Sequence, residues 1–263
     1  MENQTGQSQF LESFGLKNAA FFIGLGAYWA LGILPCDSQT FSGNLDTDPT
    51  VLVSQARLTN NNSGHNLETT LVDIKAVDAP AMHEENGKIG VGSENRYGQG
   101  IIIDSSGIIA TNKHIIGNAR HIYILLSSGE TLEAKLLLNS QADLSLLKID
   151  SPLPLRSISL ADPSEIQIGS NVVAIANAGF NPQRIRGGHI IKIFREIKSN
   201  NIELLEMNIP LKPGDSGGPI LNEEGSLLGL IMGKQISDPG KSYAIASSRI
   251  QQEYFKYRNS VLN

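Results

Sequence analysis

The stretch Pro213-Gly214-Asp215-Ser216-Gly217-Gly218-Pro219 places one serine inside a glycine-rich turn. A nucleophilic serine needs an exposed hydroxyl, and nearby backbone N–H groups must stabilise the oxyanion that forms when it attacks a carbonyl. Glycines on both sides of the serine allow a tight turn and a close approach to substrate, because they carry no Cβ. We therefore predict that Ser216 is a nucleophile and that the N–H groups of Gly214 and Ser216 form an oxyanion hole. The alternative is a glycine-rich hairpin turn without chemistry.

A serine nucleophile requires a base, and the chain has five histidines to supply one. His114 lies where an apolar run ends and a short turn begins, which is a good place to fix a side chain at the edge of a cleft. A third group, a buried carboxylate, holds the imidazole in one tautomer and stabilises its cation. Asp143 is our candidate, since it stands directly before the apolar run Leu144–Ile149. Taken alone, each residue is equally consistent with a structural role at the end of a strand.

Several blocks of sequence, in this order, resemble the trypsin/chymotrypsin clan of serine proteases, and most closely its bacterial HtrA/Deg-type branch. They are Gly98–Asp104 with Gly107–His114, Ala142–Ile149, Val173–Asn177 and Pro213–Pro219. His114 and Asp143 are 29 residues apart, and Asp143 and Ser216 are 73 apart, which suits that family. The resemblance covers roughly residues 69–250. It implies that His114, Asp143 and Ser216 form the catalytic triad.

The pattern from Thr69 onward predicts an all-β domain. About a dozen short apolar, β-branched runs are separated by turn residues, with no long amphipathic helix between them. This spacing predicts antiparallel barrels or a sandwich. The resemblance implies two six-stranded antiparallel β-barrels with the active site in the crevice between them. We predict a short C-terminal helix over Ser247–Arg258, because a helix would place Ile250, Tyr254 and Tyr257 on one face.

The composition excludes several classes of function. The net charge of −5 and the pI of about 5.6 argue against a global basic field for binding nucleic acid. Cys36 is the single cysteine, which excludes an intramolecular disulfide and a cysteine-based zinc cluster. The expected chemistry requires neither a metal nor a cofactor.

An apolar, uncharged stretch near the N-terminus divides the chain into regions. As a helix, its nineteen residues from Asn18 to Cys36 would span roughly 28 Å, close to the thickness of a bilayer core. We predict a cytoplasmic tail at 1–18, a transmembrane anchor at 19–36, a flexible polar linker at 37–68 and the protease domain at 69–263. A cleaved export signal and a buried soluble helix are the alternatives for the apolar stretch.

The sequence departs from the family pattern at several places. Asp215 stands where the HtrA branch usually has Asn; in the digestive proteases an acid there pairs with an N-terminus freed by cleavage. Lys88-Ile89-Gly90-Val91-Gly92 resembles such a cleavage site only superficially, because Ile89 lies nine residues before Gly98. A buried Asp215 therefore needs another partner for its charge.

Two further departures concern other parts of the chain. Ala176 stands where the family usually has glycine. We expect no PDZ domain, because only 47 residues follow Ser216.

Specificity is predicted from the segments that line the primary pocket in this family. Those residues are Pro210, Leu211, Leu230, Ile231 and Met232. None is acidic, so we expect a preference for small or medium hydrophobic residues at P1. Packing of some of these side chains in the barrel core is the alternative. The segment Phe180–Gly188 carries Arg184 and Arg186, and is either a substrate-binding or regulatory loop or a solvated surface.

Together, these features predict a membrane-anchored serine endopeptidase working outside the cytoplasm, in the periplasm, on protein or peptide substrates. A soluble, secreted protease differs from it only in the fate of residues 1–36. The main rival is a protease-like scaffold that binds peptides or partner proteins without cleaving them. The family resemblance also suggests a homotrimer, although no residue in the sequence demands one.

Overall fold

The computed structural model describes residues 67–79, 95–176, 184–196, 201–212, 214–235, 238 and 240–262, together with four strand-forming segments. Two of these segments lie near the N-terminus and form strands β1 (Phe21–Ile23) and β2 (Gly26–Tyr28). A short 3-10 helix, Leu67–Thr69, precedes the first strand of the main domain.

The first half of the domain is a closed antiparallel barrel. Its elements in chain order are β3 (Leu71–Val77), β4 (Ala81–Glu85), β5 (Lys88–Gly92), β6 (Asn95–Asp104), β7 (Ile108–Asn112), α1 (Lys113–Ile116), β8 (His121–Leu125), β9 (Thr131–Asn139) and β10 (Leu144–Ile149). The barrel strands follow the order β10-β7-β6-β3-β8-β9, while β4 and β5 form a separate hairpin. Isoleucines dominate the barrel interior, as their strand preference and burial both favour.

The second half is also a six-stranded antiparallel barrel. It consists of β11 (Asn171–Ala176), β12 (Arg184–Arg195), β13 (Ile202–Met207), β14 (Pro219–Leu221), β15 (Leu227–Gln235) and β16 (Ser242–Ala246), followed by helix α2 (Ser247–Leu262). The strand order is β14-β11-β12-β13-β16-β15, and the ring closes because β14 pairs with both β11 and β15. The two predicted six-stranded barrels are therefore confirmed.

The barrels are joined by a shared apolar cluster and by the C-terminal helix. The cluster combines residues of the first barrel, such as Ile101 and Leu144, with residues of the second, such as Leu230. In α2, Tyr254 donates a hydrogen bond of 2.6 Å to Asp104 of the first barrel. Burial and this carboxylate raise the pKa of Tyr254 to about 12. Arg249 of the same helix pairs with the buried Glu203 of the second barrel, so α2 contacts both barrels.

The described residues do not support the predicted N-terminal transmembrane helix. Within the proposed transmembrane segment 19–36, the described residues are strands, because β1 pairs with β2 and with Lys234 and Gln235 of β15. Aromatic and β-branched residues favour strands, and the end of β15 offers backbone hydrogen bonds to them. Within the described parts of the chain, no helix is both long and apolar enough to cross a membrane. The other residues of 19–36, the tail 1–18 and the linker up to 66 lie outside the described residues.

Candidate active site

His114 and Asp143 are brought together by the pairing of two neighbouring strands. β7 ends at Asn112, which is the register partner of Leu144 at the start of β10. Asp143 therefore lies beside the first turn of α1, where its carbonyl accepts a hydrogen bond of 2.8 Å from the Lys113 N–H. The sequence-predicted base and acid thus face each other because antiparallel pairing aligns the end of one strand with the start of the next.

The Asp143 carboxylate contacts His114 through both of its oxygens. Oδ1 accepts a hydrogen bond of 2.9 Å from the His114 backbone N–H, and Oδ2 lies 2.8 Å from the ring nitrogen Nδ1. The Asp143 side chain is 7% exposed and the His114 side chain 17%. An ionised carboxylate accepts hydrogen bonds, so it favours the tautomer with the proton on Nδ1. The other ring nitrogen, Nε2, is then an acceptor and can act as a base.

Asp143 adopts a backbone conformation that few side chains tolerate. Its φ of 55° makes it the one non-glycine residue with a positive φ among the residues that the structure describes. Asp is among the residues that visit this left-handed region most readily, yet the conformation still costs on the order of 1 kcal/mol or more. Its carbonyl and both carboxylate oxygens are all engaged by the segment 113–114. These contacts hold the strained residue in place.

Ser216 lies where the two barrels touch. Its carbonyl accepts a hydrogen bond of 3.1 Å from the N–H of Gln99 in β6. Gln99 is in turn fixed to β7, because the Thr111 hydroxyl donates to its carbonyl over 2.7 Å. The Ser216 turn is thus docked on the strand next to the one that leads into His114. The Ser216 hydroxyl lies 3.5 Å from the carbonyl oxygen of Met232.

The loop before Ser216 presents two N–H groups without partners in the described structure. The Asp215 N–H donates to the Lys212 carbonyl over 3.1 Å, which closes a turn over 212–215. Gly214 has a φ of 92°, a positive value that glycine adopts readily. Within the described residues, the N–H groups of Gly214 and Ser216 donate to no acceptor. Both donors are available for an oxyanion.

Asp215 is completely buried, and the structure provides the partner that its charge requires. Its Oδ2 accepts a hydrogen bond of 2.7 Å from the Lys212 N–H and lies 3.5 Å from Nη1 of Arg186 in β12. The same Nη1 donates to the carbonyl of Pro210. The sequence pattern alone predicts Arg186 only as part of a loop or of a solvated surface. The signal that points to it is the acid at 215, because a buried carboxylate needs a nearby cation or several donors.

Most of the five predicted pocket residues are buried in the core. Leu211, Leu230 and Ile231 are buried in core clusters, and Met232 is 9% exposed. Alternation along β15 directs Leu230 and Met232 toward the cluster between the barrels and Ile231 toward the interior of the second barrel. Pro210 is exposed. Core packing, the alternative interpretation, therefore applies to four of the five side chains, all except Pro210.

Three further histidines, Cys36 and Ala176 lie on the surface or have side chains outside the described residues. His121 is on the surface, where its Nδ1 lies 2.8 Å from Glu133. His65 and Cys36 fall outside the described residues, as do the side chain of His83 and that of Ala176. Across the described ranges, no group of three or more His, Cys, Asp or Glu side chains is arranged to hold a metal ion.

Comparison with known proteins identifies residues 98–230 as a trypsin-like peptidase domain. The chain is 28% identical over 183 residues to the periplasmic serine endoprotease DegP of Escherichia coli K12, covering 66% of this chain and 39% of DegP. It is 33% identical over 136 residues to a probable periplasmic DegP-like endoprotease of Pseudomonas fluorescens, covering 51% and 28%. The serine protease HTRA1B of Danio rerio is 28% identical, over 59% of this chain and 33% of the relative. The chain thus spans about a third of the length of these curated relatives.

Gly217 allows the close contact between the barrels, and its replacement tests that contact. A Cβ at Gly217 would lie 1.9 Å from the carbonyl oxygen of Gln99, and the φ of 83° adds strain. We expect Gly217→Ala to lower the free energy of unfolding by more than about 3 kcal/mol, since backbone must shift. Urea denaturation followed by circular dichroism measures this loss.

Gly129→Ala is the matched control for this substitution. Gly129 has nearly the same φ, 86°, but a Cβ there would meet nothing within 4 Å. Its replacement should therefore cost only the strain of about 1–2 kcal/mol. Equal losses for the two variants would show that the close approach of Gly217 to Gln99 contributes nothing to stability.

Proposed function

The chain belongs to the trypsin-like peptidase family, and we propose that it is a serine endopeptidase that hydrolyses peptide bonds of protein substrates. One observation carries the proposal most directly: the buried Asp143 carboxylate binds both the backbone N–H and the Nδ1 of His114. Within the described residues, no hydrogen bond engages the second ring nitrogen, Nε2, which leaves it able to act as a base. Homology to HtrA and DegP serine proteases supports the same function.

In the proposed mechanism, His114 and Ser216 carry out acyl transfer. Nε2 of His114 accepts the hydroxyl proton of Ser216 while Oγ bonds to the carbonyl carbon of the scissile peptide. Asp143 remains ionised and stabilises the imidazolium. The imidazolium then donates its proton to the leaving amine as the C–N bond breaks. A water molecule, deprotonated by His114, attacks the acyl-enzyme and releases the acid product and the free serine.

The oxyanion hole is the second part of the proposed machinery. The negative oxygen of the tetrahedral intermediate would accept hydrogen bonds from the N–H groups of Gly214 and Ser216. Both donors lack other acceptors among the described residues, so they would not have to give up a bond to serve the transition state. One such donor typically contributes about 3–4 kcal/mol to the lowering of the barrier.

The proposed preference at P1 is a small or medium hydrophobic side chain. The five candidate pocket residues Pro210, Leu211, Leu230, Ile231 and Met232 carry no charge that would bind a lysine, arginine or acidic side chain. Matching an apolar pocket in size typically discriminates by only about 1–3 kcal/mol per methylene, so the preference should be graded.

We place the peptidase domain outside the cytoplasm, in the periplasm, because two of the similar proteins are named as periplasmic endoproteases. Attachment to a membrane through residues 19–36 and assembly into trimers stay predictions from the sequence. Carbonate extraction of membranes from cells that produce the full chain distinguishes an attached from a released protein. Recovery of the protein in the cytoplasmic fraction would contradict the extracytoplasmic placement.

Substitutions in the proposed triad should abolish hydrolysis without unfolding the domain. We expect Ser216→Ala and His114→Ala to lower kcat for casein or a peptide with hydrophobic P1 by at least about 1,000-fold. Asp143→Asn should lower it by about 10,000-fold, because the amide favours the wrong tautomer of His114. Peptide release measured by mass spectrometry reports both the rates and the residues before each cleaved bond.

His121→Ala is the matched control, because His121 also contacts a carboxylate at 2.8 Å but lies on the surface. Its kcat should remain within about twofold of the wild-type value, as surface substitutions rarely disturb a distant site. Undiminished cleavage by Ser216→Ala would assign the chemistry to another residue. Cleavage predominantly after charged residues would contradict the proposed P1 preference.

A further inference from the structure

Asp215 carries a charge in a place where charge is costly. Its side chain is fully buried, directly before the proposed nucleophile and directly after the glycine that supplies one oxyanion donor. An ionised carboxylate in such a position requires compensation by a cation or by several hydrogen-bond donors. The residue that partners this carboxylate therefore determines the conformation of the loop.

We propose that Arg186 is the positioning residue of the oxyanion loop, acting through Asp215. This inference rests on the proposed function, because it assigns a role in the same hydrolysis. Arg186 would hold Asp215, and thereby Gly214 and Ser216, in the conformation that presents both N–H groups. The role falls to a residue inside the folded domain, so the loop needs no newly created N-terminus to become ordered.

The contacts of Arg186 tie together both ends of the loop. Nη1 donates to the carbonyl of Pro210, where the loop begins, and lies 3.5 Å from Oδ2 of Asp215, where it ends. The same carboxylate oxygen accepts from the Lys212 N–H, which lies between them. Two of these contacts end on Oδ2 of Asp215. If Asp215 moved away, Arg186 and the Lys212 N–H would each lose one partner.

The backbone next to Asp215 is also fixed. The Asp215 N–H donates to the Lys212 carbonyl over 3.1 Å, and Gly214 has a φ of 92°, which glycine tolerates best. A contact that holds Asp215 therefore also restrains its neighbours Gly214 and Ser216, which carry the proposed oxyanion donors.

The alternative partner, an N-terminus created by cleavage before Ile89, is not required in this arrangement. Lys88 and Ile89 lie in β5 and are paired in register with Glu85 and Glu84 of β4. The Arg186 side chain is 20% exposed and contacts Asp215 from strand β12 of the second barrel. The uncleaved chain thus already contains the cation that the acid requires.

The kinetic test compares Arg186→Gln with Arg186→Gln/Asp215→Asn. The single variant leaves a buried carboxylate without its cation, so we expect kcat to fall by about 10- to 100-fold, with KM within about threefold. The double variant removes the charge that Arg186 compensates and should recover at least about tenfold of that loss. Arg186→Lys should be intermediate, since an ammonium lacks the planar fork of the guanidinium.

Arg195→Gln makes the same chemical change at an exposed arginine of the same strand and should leave kcat within about twofold. A wild-type kcat in Arg186→Gln would overturn the proposal. So would a double variant as slow as the single one. If Arg186→Gln does not fold, recovery of folded protein in the double variant supports the pairing, and its absence opposes it.

A second measurement does not depend on hydrolysis and is made in the Ser216→Ala background. There, Arg186→Gln should lower the free energy of unfolding, because a buried carboxylate loses its cation, and adding Asp215→Asn should restore part of that loss. Equal stabilities with and without Arg186 would overturn the pairing. Absence of turnover in the wild type would instead contradict the proposed function.

Discussion

The contact between Gln99 and the Ser216–Gly217 backbone is the constraint on which the site depends. It joins β6 of the first barrel to the turn of the second through a hydrogen bond of 3.1 Å. No side chain fits between them, since a Cβ at Gly217 would lie 1.9 Å from the Gln99 carbonyl. Each barrel could pack its own interior without this contact. Only the contact brings a serine from one barrel beside the strand that leads to the histidine of the other.

Two buried carboxylates serve this junction in different ways. Asp143 accepts from the backbone and ring of His114, so its charge favours the tautomer that a general base needs. Asp215 faces Arg186 and the Lys212 N–H, and in our proposal its charge orders the loop that carries the proposed oxyanion donors. Because both carboxylates are buried, substitution of His114 or Arg186 should be destabilising. Each substitution would leave a poorly solvated carboxylate with fewer partners.

The sequence predicted the features that depend on neighbouring residues. Short β-branched runs predicted antiparallel barrels or a sandwich, and the family resemblance implied the two barrels. The glycines around Ser216 predicted a tight turn, whose N–H groups at Gly214 and Ser216 have no acceptor within the described residues. Contacts between distant segments were harder to predict: Arg186 lies 29 residues before Asp215, and nothing local in its segment indicates a partner. The sequence does not show which side chains of β15 point into the core and which point toward a pocket, so the predicted pocket residues include core residues. In the segment 19–36, an apolar run does not distinguish helix from strand by its periodicity.

The most direct test of the account is a crystal structure of the protein with a peptidyl boronic acid of hydrophobic P1. We predict a covalent bond from Ser216 Oγ to boron, with one boron-bound oxygen about 2.7–3.1 Å from the backbone nitrogens of Gly214 and Ser216. Nε2 of His114 should lie within hydrogen-bond distance of the adduct. An adduct on another residue, or a boronate oxygen that faces away from both N–H groups, would contradict the account.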